Sequence, residues 1–187
     1  MLKLGLTGSI AVGKSYVCEV LRELGAFVLD ADQTAREVVA PQTRGWQLIV
    51  ENFGPEVLQS DDTINRAKLG ALVFADERRR QLLNSIVHPL VIAAQDEWLQ
   101  MVERKSPDAI AVIDAALMIE SGGCRRFDKL IVVWCRPEIQ IERLMARSNL
   151  SRAEALQRIN AQMPQEEKKR FADFLIETSE GFEAARA

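Results

Sequence analysis

The sequence predicts an α/β fold built on a five-stranded parallel sheet. Three observations carry that expectation. Short apolar runs alternate with helical stretches, the order of parallel strands joined by crossovers. A glycine-rich turn separates the first apolar run from the first helix. Two long helical excursions interrupt the alternation, one after the second strand and one after the fourth.

Leu2–Thr7 is the first strand, followed by the turn and then a helix over Lys14–Leu24. Gly25 ends that helix in the place where a left-handed residue is wanted. Ala26–Asp30 (AFVLD) is the second strand, apolar until its last residue. The stretch 31–108 is far longer than one crossover needs. It holds a short helix over Gln33–Val39 and helical periodicity over Thr43–Phe53, Asn65–Phe74 and Glu77–Val102. It reads as an inserted helical subdomain packed over the sheet edge. Ala109–Asp114 and Lys129–Cys135 are two buried strands, and Phe174–Glu177 is a weaker fifth. Pro137–Asp173, between the last two, is helical and rich in arginine. There is no internal repeat, low-complexity tract or linker.

Composition narrows the class. With 187 residues, 48% of them hydrophobic and 27% charged, the chain suits one folded domain with an inserted piece. A net charge of −3 argues against a general nucleic-acid binder. Cys18, Cys124 and Cys135 have neither paired nor metal-ligand spacing, which fits a reduced, cytoplasmic compartment. No apolar run reaches the roughly 18 residues of a membrane span, and the N-terminal run lacks the form of a signal peptide. His88 is the only histidine, so a general base is expected to be a carboxylate.

Gly8-Ser9-Ile10-Ala11-Val12-Gly13-Lys14-Ser15 fits the G-x-x-x-x-G-K-[ST] pattern after a strand and at a helix start. Backbone N–H groups there, with the unpaired donors at the helix N-terminus, suit phosphate oxygens. Lys14 supplies a mobile cation for the β- and γ-phosphates, and the Ser15 hydroxyl is placed for Mg²⁺. The loop is therefore expected to bind a nucleoside triphosphate together with Mg²⁺.

Ligands of open parallel sheets sit beyond the carboxyl ends of the strands. Asp30, Asp32 and Asp114 fall there. In extended chain Asp30 and Asp32 would point the same way. Asp32 is the better base candidate; its structural alternative is the N-cap of Gln33–Val39. Asp114 is either a solvated strand end or a Walker-B-like partner of Mg²⁺.

These blocks, with several others, resemble the dephospho-CoA kinase family over nearly the whole chain. The likeness runs through LTGSIAVGKS, DADQTAREVV at Asp30–Val39, NFGPEVL at Asn52–Leu58 and NRAKLGALVF at Asn65–Phe74. It continues in LLNSIVHPLV at Leu82–Val91, IERLMAR at Ile141–Arg147 and RINAQMPQEEK at Arg158–Lys168. The resemblance implies a P-loop kinase fold and transfer of the ATP γ-phosphoryl to the ribose 3′-hydroxyl of dephospho-CoA, the last step of coenzyme A synthesis. It implies a kinase core of 1–34, 108–136 and 174–187, a helical acceptor-binding insertion of about 35–107 and a lid of about 137–173. Asp32 is implied as the catalytic base, with Thr7 and Gly8 to Tyr16 along the ATP phosphates. Arg36, His88, Leu117 and Glu120 lie in blocks implied to meet the acceptor.

Departures from the family pattern are local. Ser9, Ala11, Val12 and Tyr16 replace its usual loop residues, and Ala116 replaces a proline before Leu117 and Glu120. Ser148 follows Arg147 where an aspartate is usual, and Glu177 to Gly181 replaces the family's closing turn, a place of adenine-edge contacts.

Arg143 and Arg147 are four apart on a helix and share one face. Either they lie on a solvated face, or they bring cations to the γ-phosphate and nucleotide as the lid closes. His88 before Pro89 either bonds a local carbonyl at a kink or serves the acceptor site. Arg125–Arg170 carries an excess of basic residues, suited to two anionic substrates. Two other readings stand beside the kinase: one acting on another small hydroxyl acceptor such as a nucleoside monophosphate, and a non-catalytic nucleotide-binding regulator. The expected partners are small molecules, with no nucleic acid and no membrane, and nothing in the pattern bears on oligomeric state.

Overall fold

A computed structural model describes residues 1–181 and 183–186. Phe182 and Ala187, within the expected core segment 174–187, lie outside the described residues. By contacts the chain divides into two units, Met1–Asp30 with Val102–Ala187, and Ala31–Met101.

The first unit is built on five parallel strands: β1 (Leu2–Thr7), β2 (Phe27–Asp30), β3 (Ile110–Asp114), β4 (Lys129–Trp134) and β5 (Phe174–Glu177). Their order across the sheet is β2-β3-β1-β4-β5. β1 is therefore central, paired with β3 on one side and β4 on the other. Leaving β1 the chain moves towards one edge, and leaving β3 it moves towards the other. That reversal opens a crevice beyond the carboxyl end of β1, where the phosphate-loop sequence begins.

Burial follows strand position. Leu4 and Leu6 on β1 face Val112, Ile131, Val133 and Cys135, and α1 (Lys14–Glu23) covers them with Val17 and Cys18. Each fully buried aliphatic side chain here contributes about 2 kcal/mol. On the other face Gly5 leaves room that a side chain would fill: a Cβ there would lie 2.5 Å from the Met118 sulfur. The second strand is less buried than its apolar sequence suggests, because it forms an edge. Helix α1 closes as expected: Gly25 has φ of 90°, its N–H bonds the Arg22 carbonyl, and the Ala26 N–H reaches back to Leu21.

The second unit holds α2 (Ala31–Glu37), α3 (Arg44–Phe53), α4 (Arg66–Ala75) and most of α5 (Glu77–Lys105). Thr43 and Asn65, the first residues of two periodic stretches, are N-caps, accepting from the N–H groups of Trp46 and Lys68. Ile49, Phe53, Val57, Ile64, Leu69 and Ile86 form the unit's own core. Helix α2 starts at Ala31, directly after β2. Asp32 therefore sits in the first turn rather than at an N-cap, and Asp30 and Asp32 do not share an extended segment. A carboxylate at that place is favoured by the helix dipole. Pro89 lies inside α5, and His88 is exposed and hydrogen-bonded to no described residue, which removes the local-carbonyl reading.

In the first unit the arginine-rich excursion forms α6 (Pro137–Ser148), α7 (Arg152–Asn160) and α8 (Gln165–Lys169). Ile141, Leu144 and Ala155 make a small core into which Ile10 and Ala11 pack. No helix among the described residues is long and apolar enough to cross a membrane.

Candidate active site

The loop between β1 and α1 is shaped by steric necessity. A Cβ on Gly8 would stand 2.5 Å from the Val133 carbonyl oxygen, so only glycine lets the chain leave β1 this close to β4. Gly13 precedes α1 with φ of 93°. Ala11 also adopts a positive φ, 62°, at a cost of about 1 kcal/mol, which its packing against the α6–α7 core offsets. The side chains of Ile10 and Ala11 are taken by that core and that of Val12 by the sheet core. What these residues can offer a ligand is backbone. The N–H groups of Gly13, Lys14 and Ser15 open α1 and have no helical carbonyl to bond. They form a ready site for phosphate oxygens.

Lys14 is held. Its Nζ lies 2.8 Å from Asp114 Oδ1, with the two side chains 17% and 14% exposed. Asp114 accepts a second bond, from the Cys18 thiol at 3.4 Å. A solvated strand end is therefore excluded for Asp114. Burial, reinforced by the neighbouring Asp114 carboxylate, pushes the Cys18 thiol up to about 12, so at neutral pH it stays protonated and keeps donating. Ser15 is exposed in the first turn of α1, between Asp114's two partners Lys14 and Cys18. Its hydroxyl and the Asp114 carboxylate are hard oxygen donors of the kind Mg²⁺ takes, too few to bind it without phosphate oxygens. No cluster of three or more His, Cys, Asp or Glu able to hold a metal occurs among the described residues.

Three of the expected site residues have partners within the protein. Thr7 is fully buried and donates to the Ala116 carbonyl at 3.2 Å, because the end of β1 is enclosed between β3 and β4. Arg143 gives both terminal nitrogens to Thr178, Nη1 to the hydroxyl at 2.9 Å and Nη2 to the carbonyl at 2.7 Å. Glu120 is paired with Lys168 at 2.8 Å and accepts from the Met163 N–H. Leu117 and Arg147 are exposed, and Arg147 has no ionic partner among the described residues. Tyr16 is half-buried on α1. Ser9 is 4% exposed, and its hydroxyl has no partner among the described residues.

Several residues went unassigned in the sequence. Gln162 accepts from the Ile10 N–H, and Gln140 donates to the Ile10 carbonyl, each at 2.8 Å. Gln140 is buried between Ile139 and Ile141, and a polar residue on the apolar stripe of α6 was the available signal. Lys168 carried none, since it stands in the charged run Glu166 to Arg170. It is the largest fully buried side chain in the protein's described part, and it bonds both Glu120 and the Ala116 carbonyl at 2.8 Å. It thereby latches α8 to the loop after β3, and through Ala116 to Thr7. Lys168→Met should lower the unfolding free energy by about 3 kcal/mol in urea titration, because Glu120 and a carbonyl lose their cation. Adding Glu120→Leu should return part of that loss. A change below about 0.5 kcal/mol would remove the latch from the structure's energetics.

In the second unit a cleft of about 410 Å³ is lined by Asp32, Arg36 and Arg66 over an apolar floor including Ile64, Leu69 and Val87. Arg36 and Arg66 also border a neighbouring cleft of about 470 Å³. Neither arginine is ion-paired to a described residue, and His88 lines neither cleft. Arg66 opens α4 and had no distinguishing signal in its block.

A central β1 leading through a glycine-shaped loop into α1, with Lys14 and Ser15 in its first turn, defines a P-loop phosphotransferase fold. A shikimate kinase from Acinetobacter baumannii shares that fold alone, with a TM-score of 0.51 and 19% identity over 100% of this chain and 87% of its own. The model of the dephospho-CoA kinase family matches residues 2–183, and the chain belongs to that family. A dephospho-CoA kinase of Syntrophus aciditrophicus is 46% identical over 94% of this chain and 75% of its own length. One from Listeria monocytogenes is 43% identical over 96% and 90%. The solved dephospho-CoA kinase from Campylobacter jejuni superposes with a TM-score of 0.73 at 28% identity, covering 98% of this chain and 91% of that one.

Proposed function

We propose that Asp32 is the general base in the ATP-dependent phosphorylation of dephospho-CoA, the reaction that family membership gives this chain. The acceptor atom is the ribose 3′-hydroxyl. The observation that carries the assignment is the cleft in which Asp32 lies beside Arg36 and Arg66: a carboxylate able to take a proton, next to two guanidinium groups that form no ion pair with a described residue and suit an anionic acceptor. The apolar floor offers contact to the uncharged parts of that molecule.

The γ-phosphoryl moves in line from ATP to the hydroxyl oxygen as the proton passes to a carboxylate oxygen of Asp32. The loop N–H groups and Lys14 hold the β- and γ-phosphates, with Asp114 keeping the ammonium directed at the loop until nucleotide competes for it. Ser15 would hold Mg²⁺, which when bound would supply charge neutralisation at the phosphates. Arg147 is the cation of α6 that remains available to the nucleotide. The unit Ala31–Met101 acts as the acceptor domain and the stretch 137–173 as the lid, in a cytoplasmic enzyme that needs neither nucleic acid nor membrane.

Release of ADP from ATP should require dephospho-CoA and match coenzyme A formation one for one. A nucleoside monophosphate or shikimate should not replace it. Equal ADP release without an acceptor, or faster turnover with another alcohol, would overturn the reading.

A further inference from the structure

We propose that Thr178 and Gln140, two side chains outside the phosphate loop, aim its amides by holding alternate carbonyls; both are positioning residues for nucleotide binding. The inference rests on the phosphate-loop reading of Gly8–Ser15. The Thr178 hydroxyl is fully buried and donates to the Val12 carbonyl at 2.7 Å. Gln140 Nε2 donates to the Ile10 carbonyl at 2.8 Å. In a trans peptide the C=O of one residue and the N–H of the next point in opposite directions. Drawing the Val12 oxygen towards Thr178 therefore turns the Gly13 N–H the other way. Drawing the Ile10 oxygen towards Gln140 does the same for Ala11. Each anchor sits behind the peptide it directs.

The direction of the Thr178 hydroxyl is itself determined. A hydroxyl has one proton, and two carbonyls compete for it: Val12 at 2.7 Å and Trp134 at 3.4 Å. The shorter contact takes the proton. Arg143 Nη1 donates into the same oxygen, which leaves the hydroxyl acting as donor on one side and acceptor on the other. Its backbone is fixed too, with the Thr178 N–H on the Trp134 carbonyl and its own carbonyl on Arg143 Nη2. Gln140 is braced similarly, its Oε1 accepting from Gln165 Nε2 at 2.8 Å, while Gln165 Oε1 accepts from the Cys135 N–H. Arg143 thus acts on the loop through Thr178. Thr178, in the turn that departs from the family's closing pattern, is thus committed to internal bonding.

The test is calorimetric titration of ADP with Mg²⁺ into wild type, Thr178→Val, Thr178→Ser and Gln140→Leu, with the KM for dephospho-CoA and the melting temperature measured alongside. Valine keeps the shape of threonine and removes the hydroxyl. It should weaken ADP about tenfold, while the dephospho-CoA KM stays within about twofold. Serine, which keeps the hydroxyl, should recover most of the lost affinity. A merely structural role would lower the melting temperature of the valine variant without separating nucleotide from acceptor. Unchanged ADP affinity in Thr178→Val, an equal loss for both substrates, or a serine variant as weak as valine would overturn the proposal. Should Thr178→Val not fold, Gln140→Leu decides by the same criteria. Failure of wild type itself to bind ADP would strike the phosphate-loop reading and this inference with it; wild-type binding alongside an unaffected valine variant strikes the inference alone.

Discussion

Asp32→Asn is expected to lower kcat by at least about a hundredfold while nucleotide binding stays at its wild-type level. The substitution keeps the size of the side chain and removes the group that accepts a proton. Binding should survive because Asp32 belongs to α2 and the cleft of the Ala31–Met101 unit, whereas the phosphate loop belongs to the other. Folding should change little. Asp32 stands in the first turn of α2, where loss of a favourable charge–dipole term costs about 0.5 kcal/mol. Turnover measured with both substrates saturating, beside an ADP titration, separates the two effects. A variant within a few-fold of wild type would take Asp32 out of the proton transfer and leave the acceptor cleft without a base of its own.

Lys14→Ala should do more damage and of a different kind. The ammonium is the one side-chain cation set within the loop, and its loss should cut kcat/KM for ATP by at least about a hundredfold. Among the described residues it also leaves the Asp114 carboxylate, 14% exposed, with the Cys18 thiol as its remaining side-chain partner. An unpaired charge so placed should cost about 2 kcal/mol of stability. The double variant Lys14→Ala with Asp114→Asn distinguishes the two consequences. Neutralising Asp114 should restore stability without restoring ATP use. If Lys14→Ala bound ATP as wild type does, the loop would not be a phosphate site.

Much of the frame was legible because it depends on near neighbours in the chain. All five strands appear within one or two residues of their apolar runs, since a buried parallel strand needs a continuous apolar segment. The caps at Thr43 and Asn65 and the reversal at Gly25 are local hydrogen-bond and steric requirements, and local sequence states them. The extended placement of Asp32 failed for the same reason in reverse. Helix α2 begins without a spacer after β2, and no residue type between Asp30 and Asp32 marks that boundary.

The candidate site was half legible. Gly8, Gly13, Lys14 and Ser15 are recognisable because their chemistry is tied to fixed spacing on a strand–loop–helix unit. Thr178, Gln140, Gln162 and Lys168 were not, since each meets a partner more than forty residues away in sequence. One cation in the run Glu166 to Arg170 is fully buried while its neighbours meet solvent or an aromatic ring; composition treats them alike. Arg143 shows the contrast most clearly. Helical spacing set it beside Arg147 on one face of α6, but the packing of β5 against β4 brought Thr178 to it and gave the two arginines different work.

Residue order alone therefore determined a parallel α/β kinase with a phosphate loop after its first strand, because strand, turn and helix are decided by neighbours a few residues apart. Only tertiary structure decided which carbonyls of that loop are anchored, which cations are already committed and which cleft Asp32 lines. Those outcomes depend on which distant segments are brought within hydrogen-bond reach, about 3 Å, and that distance is set by packing rather than by pattern.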